Sequence, residues 1–135
     1  MTDKKIDMLV IDDDDINIFI IKKITIKTGY PVNMTAKGNG QLALDYLDGL
    51  LKNNVPFPQL ILVDINMPVL NGWEFLEAYE AAGMPADVHI YMVSSSVYEN
   101  DIEKAKSYGF VNGFISKPLS LERLTELFKQ IFYQG

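Results

Sequence analysis

The chain has 135 residues, a length that suits one domain with a single hydrophobic core. It contains no cysteine, which excludes disulfide bonds, thiolate nucleophiles and thiolate metal ligands. A net charge of −6 argues against non-specific binding to nucleic acid or to anionic membranes, but it is compatible with a cation site. The apolar run near the amino terminus is too short for a secretory signal, so we expect a cytoplasmic protein that does not contact a membrane.

Five short apolar runs predict the strands of a sheet. In chain order they are Asp7–Ile11, Pro31–Thr35, Leu60–Asp64, His89–Val93 and Val111–Ile115. The first, third and fourth runs are almost continuously apolar, as expected for strands that helices cover on both faces. The second and fifth runs are weaker, which places them nearer the edges of the sheet.

Apolar residues between and after these runs recur at three- and four-residue spacing, which predicts helices. In chain order the helical patterns run through Ile16, Phe19, Ile20 and Ile24; Leu42, Tyr46, Leu47, Leu50 and Leu51; Trp73, Leu76 and Tyr79; Ile102, Ala105 and Tyr108; and Leu121, Leu124, Leu127, Phe128, Ile131 and Phe132. We expect Gly83 and Gly109 to end the third and fourth helices, and Ser120 to cap the last. Strict alternation of strands and helices predicts an α/β fold, a parallel sheet with helices on both faces.

Polar residues stand at the carboxyl ends of four predicted strands. They are Asp12 and Asp13, Asp64, Ser94 and Lys117. In an open parallel sheet these ends form the ligand edge, so the side chains are expected to converge. Three carboxylates that converge need a counter-charge, and their hard oxygens suit Mg²⁺. Together with the hydroxyl and the ammonium group, such a set can neutralise a phosphoryl group during transfer. With no cysteine available, the covalent acceptor is expected to be a carboxylate, which gives an aspartyl-phosphate.

Two other features of the sequence fit structural roles. His89, the only histidine, opens the predicted fourth strand at the opposite edge, so we interpret it as structural or exposed. Asp14 and Asp15 lie beyond the first strand, where the first helix begins. They are expected to stabilise its amino terminus by capping or through the helix dipole.

Four motifs, in this order and spacing, resemble the receiver domain of bacterial two-component response regulators. They are "VIDDDDIN", "LILVDINMPVLNG", "MVSSS" and "ISKPL", and the resemblance extends from about Ile6 to Phe132. It implies a doubly wound, flavodoxin-like (βα)5 sandwich whose five parallel strands follow the order 2-1-3-4-5. It also implies that residues 1–135 form a single receiver domain, similar to stand-alone chemotaxis receivers, with no output domain in the chain.

The resemblance assigns the acids to a phosphorylation site. Asp64 resembles the phosphoacceptor, and Asp12 and Asp13 resemble the acidic pair that holds magnesium. Of this pair, Asp13 is favoured as the residue that contacts the ion directly. Asp64 itself and the backbone carbonyl of Asn66 would complete the metal site. Asn66 and Ser96 occupy positions at which side chains influence the rate of hydrolysis in the family.

The remaining implied roles concern binding of the phosphoryl group and the response to it. Ser94 resembles the switch hydroxyl, and Lys117 resembles the lysine that pairs with the phosphate. The peptide bond between Lys117 and Pro118 resembles a cis peptide, and Phe114 resembles an aromatic residue whose rotamer reports phosphorylation. Pro68 and Gly72 fit the turn that begins the third helix.

For function, the resemblance implies a signalling domain that is not an enzyme beyond its own phosphorylation and dephosphorylation. The phosphoryl donor would be a histidine kinase or a histidine phosphotransfer protein. A downstream protein would contact the face formed by the predicted fourth helix, fifth strand and fifth helix. We expect a monomer or a weak dimer.

Three alternatives remain to be weighed against this interpretation. Haloacid-dehalogenase-type phosphatases would use Asp12 and Asp14, but they need a further acidic pair after the lysine and leave Asp64 without a role. An EF-hand loop starting at Asp13 would place isoleucines where that loop needs glycine and glutamate. A receiver-like module that only binds a partner is disfavoured by the intact acids, hydroxyl and lysine.

Overall fold

The computed structural model describes residues 4–95 and 98–133. Within these residues, strands and helices alternate along the chain. They are β1 (Ile6–Ile11), α1 (Asp15–Lys27), β2 (Val32–Lys37), α2 (Gly40–Lys52), β3 (Leu60–Asp64), α3 (Gly72–Ala81), β4 (His89–Ser94), α4 (Glu99–Lys106), β5 (Gly113–Ser116) and α5 (Leu121–Phe132). Every strand and helix predicted from the sequence is present, and most boundaries differ by only a few residues. No helix in the described residues is both long enough and apolar enough to span a membrane.

The strands form one parallel sheet in the order β2-β1-β3-β4-β5, which confirms the predicted topology. β3 lies at the centre, and all five of its residues are buried. β2 and β5 lie at the edges and are only partly buried, as their weaker apolar patterns predicted. This order places the carboxyl ends of β1, β3 and β4 side by side in the middle of the sheet.

Two apolar layers cover the sheet, one on each face. Along β3, Leu60 and Leu62 pack into the layer beneath α1 and α5, whereas Ile61 and Val63 pack into the layer beneath α2, α3 and α4. Alternate side chains of a strand point to opposite faces, so a strand in this position needs an apolar residue at every place. Burial of both faces therefore accounts for the continuous apolar runs in the sequence.

The buried face of α1 is not the one formed by the apolar residues whose spacing predicted the helix. Ile21 and Thr25 are the buried residues of α1, whereas Ile16 and Phe19 are 72% and 59% exposed. Isoleucines occur around most of the circumference of this helix, so spacing alone does not select one face. Packing against α5 and the sheet selects the Ile21 face, and the Thr25 hydroxyl donates to the Ile21 carbonyl (2.7 Å).

Short polar side chains cap the amino termini of α1, α2, α3 and α5, whereas α4 has no side-chain cap. Asp14 Oδ1 accepts from the Ile16 backbone N–H (3.0 Å), which confirms the predicted cap. Asp15 lies in the first turn of α1, the place where the predicted interaction with the helix dipole requires an acid. Ser120 caps α5 by accepting from the Arg123 backbone N–H (3.1 Å), also as predicted.

Val69 adopts a strained conformation in the loop between β3 and α3. Its φ is 70°, and the Leu70 N–H donates to the Pro68 carbonyl (2.8 Å), so Val69 is the central residue of a γ-turn of the rare, positive-φ form. A β-branched residue is strained at positive φ. The side chain is 78% exposed, so burial does not compensate for this strain.

We predict that Val69→Gly stabilises the protein. Glycine adopts positive φ freely, and strain of this kind is worth about 1–3 kcal/mol against about 0.5–1 kcal/mol of added chain entropy. The free energy of unfolding, measured by urea denaturation, should therefore rise by about 1 kcal/mol. Val55 is also exposed but does not have a positive φ, so Val55→Gly should lower the same quantity. Equal changes in the two variants would contradict the strain assigned to Val69.

Candidate functional site

Strand register brings four of the predicted site residues to one place. Ile11 of β1 pairs with Val63 of β3, so Asp12 and Asp64 follow at adjacent strand ends. Asp64 in turn pairs with Val93, the residue before Ser94. The Lys117 backbone N–H donates to the Ser94 carbonyl (2.8 Å), which joins the loop after β5 to the end of β4.

Three carboxylates converge at these strand ends. One oxygen from each of Asp12, Asp13 and Asp64 lies within 4.8 Å of the others. Asp12 and Asp64 are 2% and 7% exposed, whereas Asp13 is open to solvent. Carboxylate oxygens are the ligands that Mg²⁺ prefers, and two buried acids beside an exposed one leave a solvent-facing side for further ligands. The donor set therefore fits a magnesium ion.

Lys117 supplies the positive charge at the site. Its Nζ lies 3.0 Å from Asp12 Oδ2 and 3.4 Å from Asp64 Oδ2, and its side chain is 17% exposed. Burial alone would lower the pKa of Lys117, but its hydrogen bonds and charge interactions with the two acids outweigh burial and raise it. The lysine is therefore held in its charged form between the two buried carboxylates.

Asp64 is a carboxylate in a perturbed environment. Burial raises its pKa above the usual value, the charge of Lys117 opposes that shift, and the charge of Asp12 adds to it. The Asn66 backbone N–H lies 3.4 Å from Asp64 Oδ1, a long contact. Desolvation together with a nearby charge partner is typical of functional carboxylates.

Asp12 accepts hydrogen bonds from three donors. One of them, Asn17, was not predicted from the sequence. The Asp14 backbone N–H donates to Oδ1 (2.9 Å), and Lys117 pairs with Oδ2. The Asn17 side-chain amide also donates to Oδ2 (2.6 Å). Asn17 lies in the first turn of α1, where its spacing from the acids could have indicated that it faces the strand end.

The loop from β3 to α3 fits tightly beneath the site. The Gly72 N–H donates to the Ile65 carbonyl (2.9 Å), and a Cβ at Gly72 would lie 2.6 Å from the Asp64 carbonyl oxygen. Asn71 and Glu74 form a capping box that starts α3. The predicted role of Gly72 in this turn is confirmed. Glycine is needed here because the backbone at residue 72 passes close to the Asp64 carbonyl.

The structure also locates the remaining residues that were predicted to belong to the site. Ser94 is 1% exposed at the end of β4, and Asn66 is exposed beside Asp64. Phe114 pairs in register with Met92 on β4 and packs against the core layer beneath α4. The Lys117–Pro118 peptide bond is cis. Ser96 lies outside the described residues.

Comparison with known proteins identifies the family of this arrangement. A family model described as the response regulator receiver domain matches residues 8–129. A crystal structure of a two-component response regulator from Cytophaga hutchinsonii is 32% identical, with a TM-score of 0.86 over 95% of this chain and 98% of that one.

Two curated relatives are more distant in sequence. A probable methanogenesis regulatory protein, FilR2, from Methanothrix harundinacea is 24% identical over 92% of this chain and 79% of its own length. The two-component response regulator ORR24 of Oryza sativa is 26% identical over 92% of this chain. This chain spans 18% of the length of the rice protein, so their similarity concerns one part of that longer protein.

We predict that Gly72→Ala destabilises the protein. The new methyl group would collide with the Asp64 carbonyl and the Ile65 Cα, so the backbone beneath the acid would have to shift. Overpacking of this kind costs about 1–3 kcal/mol in the free energy of unfolding, measurable by urea denaturation.

The matched control for this variant is Gly49→Ala in α2. A Cβ at Gly49 meets nothing within 4 Å, so this substitution should stabilise the helix by about 0.5–1 kcal/mol. Tolerance of alanine at residue 72 equal to that at residue 49 would contradict the close approach.

Proposed function

The chain belongs to the response regulator receiver domain family, whose members act in two-component signalling, and we propose that it accepts a phosphoryl group on Asp64. The observation that carries this proposal is the position of Asp64: buried, beside Lys117, and within reach of two further carboxylates. The donor would be a phosphohistidine of a kinase or of a phosphotransfer protein.

Hydrogen bonding favours Asp64 over Asp12 as the nucleophile. The two oxygens of Asp12 accept from a backbone N–H, an amide and an ammonium group. Asp64 has the longer contacts, each of 3.4 Å, so its lone pairs are more available. In the transfer, an Asp64 oxygen forms a bond to phosphorus, the bond from phosphorus to the donor nitrogen breaks, and the imidazole leaves with that electron pair.

The acids would hold magnesium during this reaction. Asp12, Asp13 and Asp64 are the proposed carboxylate ligands. The backbone carbonyl of Asn66 is the fourth proposed ligand. When bound, the ion would offset the negative charge that the acids and the phosphoryl oxygens bring together. The same carboxylates repel one another without it, since Lys117 supplies one positive charge against three negative ones.

Lys117 and Ser94 are the proposed ligands of the phosphoryl oxygens. The ammonium group of Lys117 already lies 3.4 Å from Asp64 Oδ2, so it can contact a group attached to that carboxylate. Ser94 is at the adjacent strand end, and its hydroxyl can donate a hydrogen bond. Asn66 and Ser96 remain the proposed positions for tuning the rate of hydrolysis.

A switch at Phe114 would carry the signal to the surface. Phe114 lines a cavity of ≈ 280 Å³ between α4 and β5, together with Ile102 and Ala105. Movement of Ser94 towards the phosphoryl group would let the Phe114 ring repack, and this would change the face formed by α4, β5 and α5. We propose that a downstream protein binds this face when its conformation changes. We also propose that the protein signals in the cytoplasm as a monomer or a weak dimer.

Phosphorylation is tested by intact-mass measurement after incubation with magnesium chloride and acetyl phosphate. The wild-type protein should gain the mass of one phosphoryl group, and Asp64→Asn should gain none. Asp12→Asn should label slowly, because it weakens the metal site and retains the nucleophile. Asp14→Asn keeps a good helix cap and should label like the wild type. Labelling of Asp64→Asn with loss in Asp12→Asn would instead support the phosphatase alternative.

We also predict that magnesium raises the melting temperature of the wild-type protein, because an ion that binds only the folded state stabilises it by mass action. Asp13→Ala should remove this rise and should melt at or above the wild-type temperature without metal, since it relieves repulsion among the acids. Asp15→Ala removes an acid in the first turn of α1 that is not a proposed ligand, so magnesium should still raise the melting temperature of this variant. A wild-type melting curve that does not respond to magnesium would count against the metal site.

A further inference from the structure

The side chain of Asn17 is directed at the buried acid rather than at its own helix. Asp14 is the N-cap of α1, so Asn17 is the third residue within the helix. A longer side chain at this place commonly reaches back to the N-cap backbone, as Glu74 does in α3. The Asn17 amide instead donates to Asp12 Oδ2 at 2.6 Å, the shortest bond that Asp12 accepts.

Helix stability does not account for asparagine at this position. Asparagine has a lower helix propensity than alanine, leucine or glutamine, and the cap of α1 is already supplied by Asp14. The buried contacts of α1 are made by Ile21 and Thr25, whereas Asn17 is half-buried at the edge of the site. The bond to Asp12 is therefore the contact that requires an amide here.

The arrangement around Asp12 Oδ2 shows what the amide contributes. Oδ2 accepts from both Asn17 and Lys117, and Lys117 is also shared with Asp64. A lysine that turns towards a phosphoryl group on Asp64 gives up part of its contact with Asp12. A buried carboxylate that loses a partner is destabilised, and its side chain is free to change rotamer. Asn17 would still supply a donor to Oδ2, and the Asp14 N–H would still supply one to Oδ1.

We propose that Asn17 is a positioning residue that fixes the carboxylate of Asp12 for metal binding, and that it supports phosphoryl transfer to Asp64 through the bound metal. The inference rests on the proposed function. Mg²⁺ requires near-octahedral geometry, so affinity depends on how rigidly each carboxylate is aimed. Partners that orient the ligands of a metal change its affinity by about 10–100-fold when removed. Because Asp12 retains two other donors, we expect an effect of about tenfold, the lower end of that range.

The test is calorimetric titration of the protein with magnesium chloride. Asn17→Leu keeps the approximate size of the side chain and removes the donor, and its dissociation constant for Mg²⁺ should rise about tenfold. Asn17→Gln keeps an amide that can reach Asp12 and should recover at least part of the affinity. The matched control is Asn33→Leu, because the Asn33 amide also donates to an aspartate, Asp7 (3.2 Å). This pair lies near the amino ends of β1 and β2, away from the acids. This control should bind magnesium like the wild type.

Kinetics separate positioning from a general loss of structure. With acetyl phosphate as donor, Asn17→Leu should need about ten times more magnesium for half-maximal labelling, with a maximal rate near that of the wild type. Equal affinity in Asn17→Leu and the wild type overturns the proposal for Asn17 and leaves the proposed function intact. Equal losses in the leucine and glutamine variants assign the effect to packing of α1 and also overturn it. A wild-type protein that binds no magnesium overturns the proposed function together with this inference.

Discussion

Two buried carboxylates share one lysine at the carboxyl ends of the central strands. Asp12 and Asp64 lie at the ends of neighbouring strands, nearly inaccessible to solvent, and Lys117 contacts both. A buried acid is unfavourable without a partner, and two such acids side by side are more so. The lysine offsets part of this charge, and the exposed Asp13 adds to it again. This excess of negative charge is what would attract a cation to the site, and the surrounding loops have to hold the acids in place.

The sheet order supplies that support. With β1, β3 and β4 adjacent, three strand ends meet at one point, and the loop after β5 reaches them through a backbone hydrogen bond from Lys117 to Ser94. The loop after β3 folds back closely on the strand end, because Gly72 lies against the Asp64 carbonyl. The strained conformation of Val69 lies in this same loop, five residues after Asp64, and such conformations are commonly retained at functional sites.

Much of this could be predicted from the sequence because the information is local or positional. Continuous apolar runs such as residues 60–63 indicate a strand buried on both faces, and polar residues that follow parallel strands must meet at one edge. The exposed side of α1 could not be predicted in this way, since isoleucine occurs around most of the helix and tertiary packing selects Ile21. The positive φ of Val69 was hidden for a similar reason, because valine carries no signal for that conformation. The hydrogen-bond partner of Asn17 depends on the direction of its side chain in the first helical turn. Residue spacing narrows that direction but does not identify the partner.

The run of aspartates from residue 12 to residue 15 shows how closely helix and site are joined. Asp14 donates its backbone N–H to Asp12 Oδ1, and its own carboxylate accepts from the Ile16 N–H to begin α1. One residue thus both orients the buried acid and starts the helix. Asn17, one turn later, bonds the other oxygen of the same acid. The first turn of α1 is therefore part of the site as well as part of the scaffold. A change in that turn can alter the direction of Asp12 without touching any of the three acids.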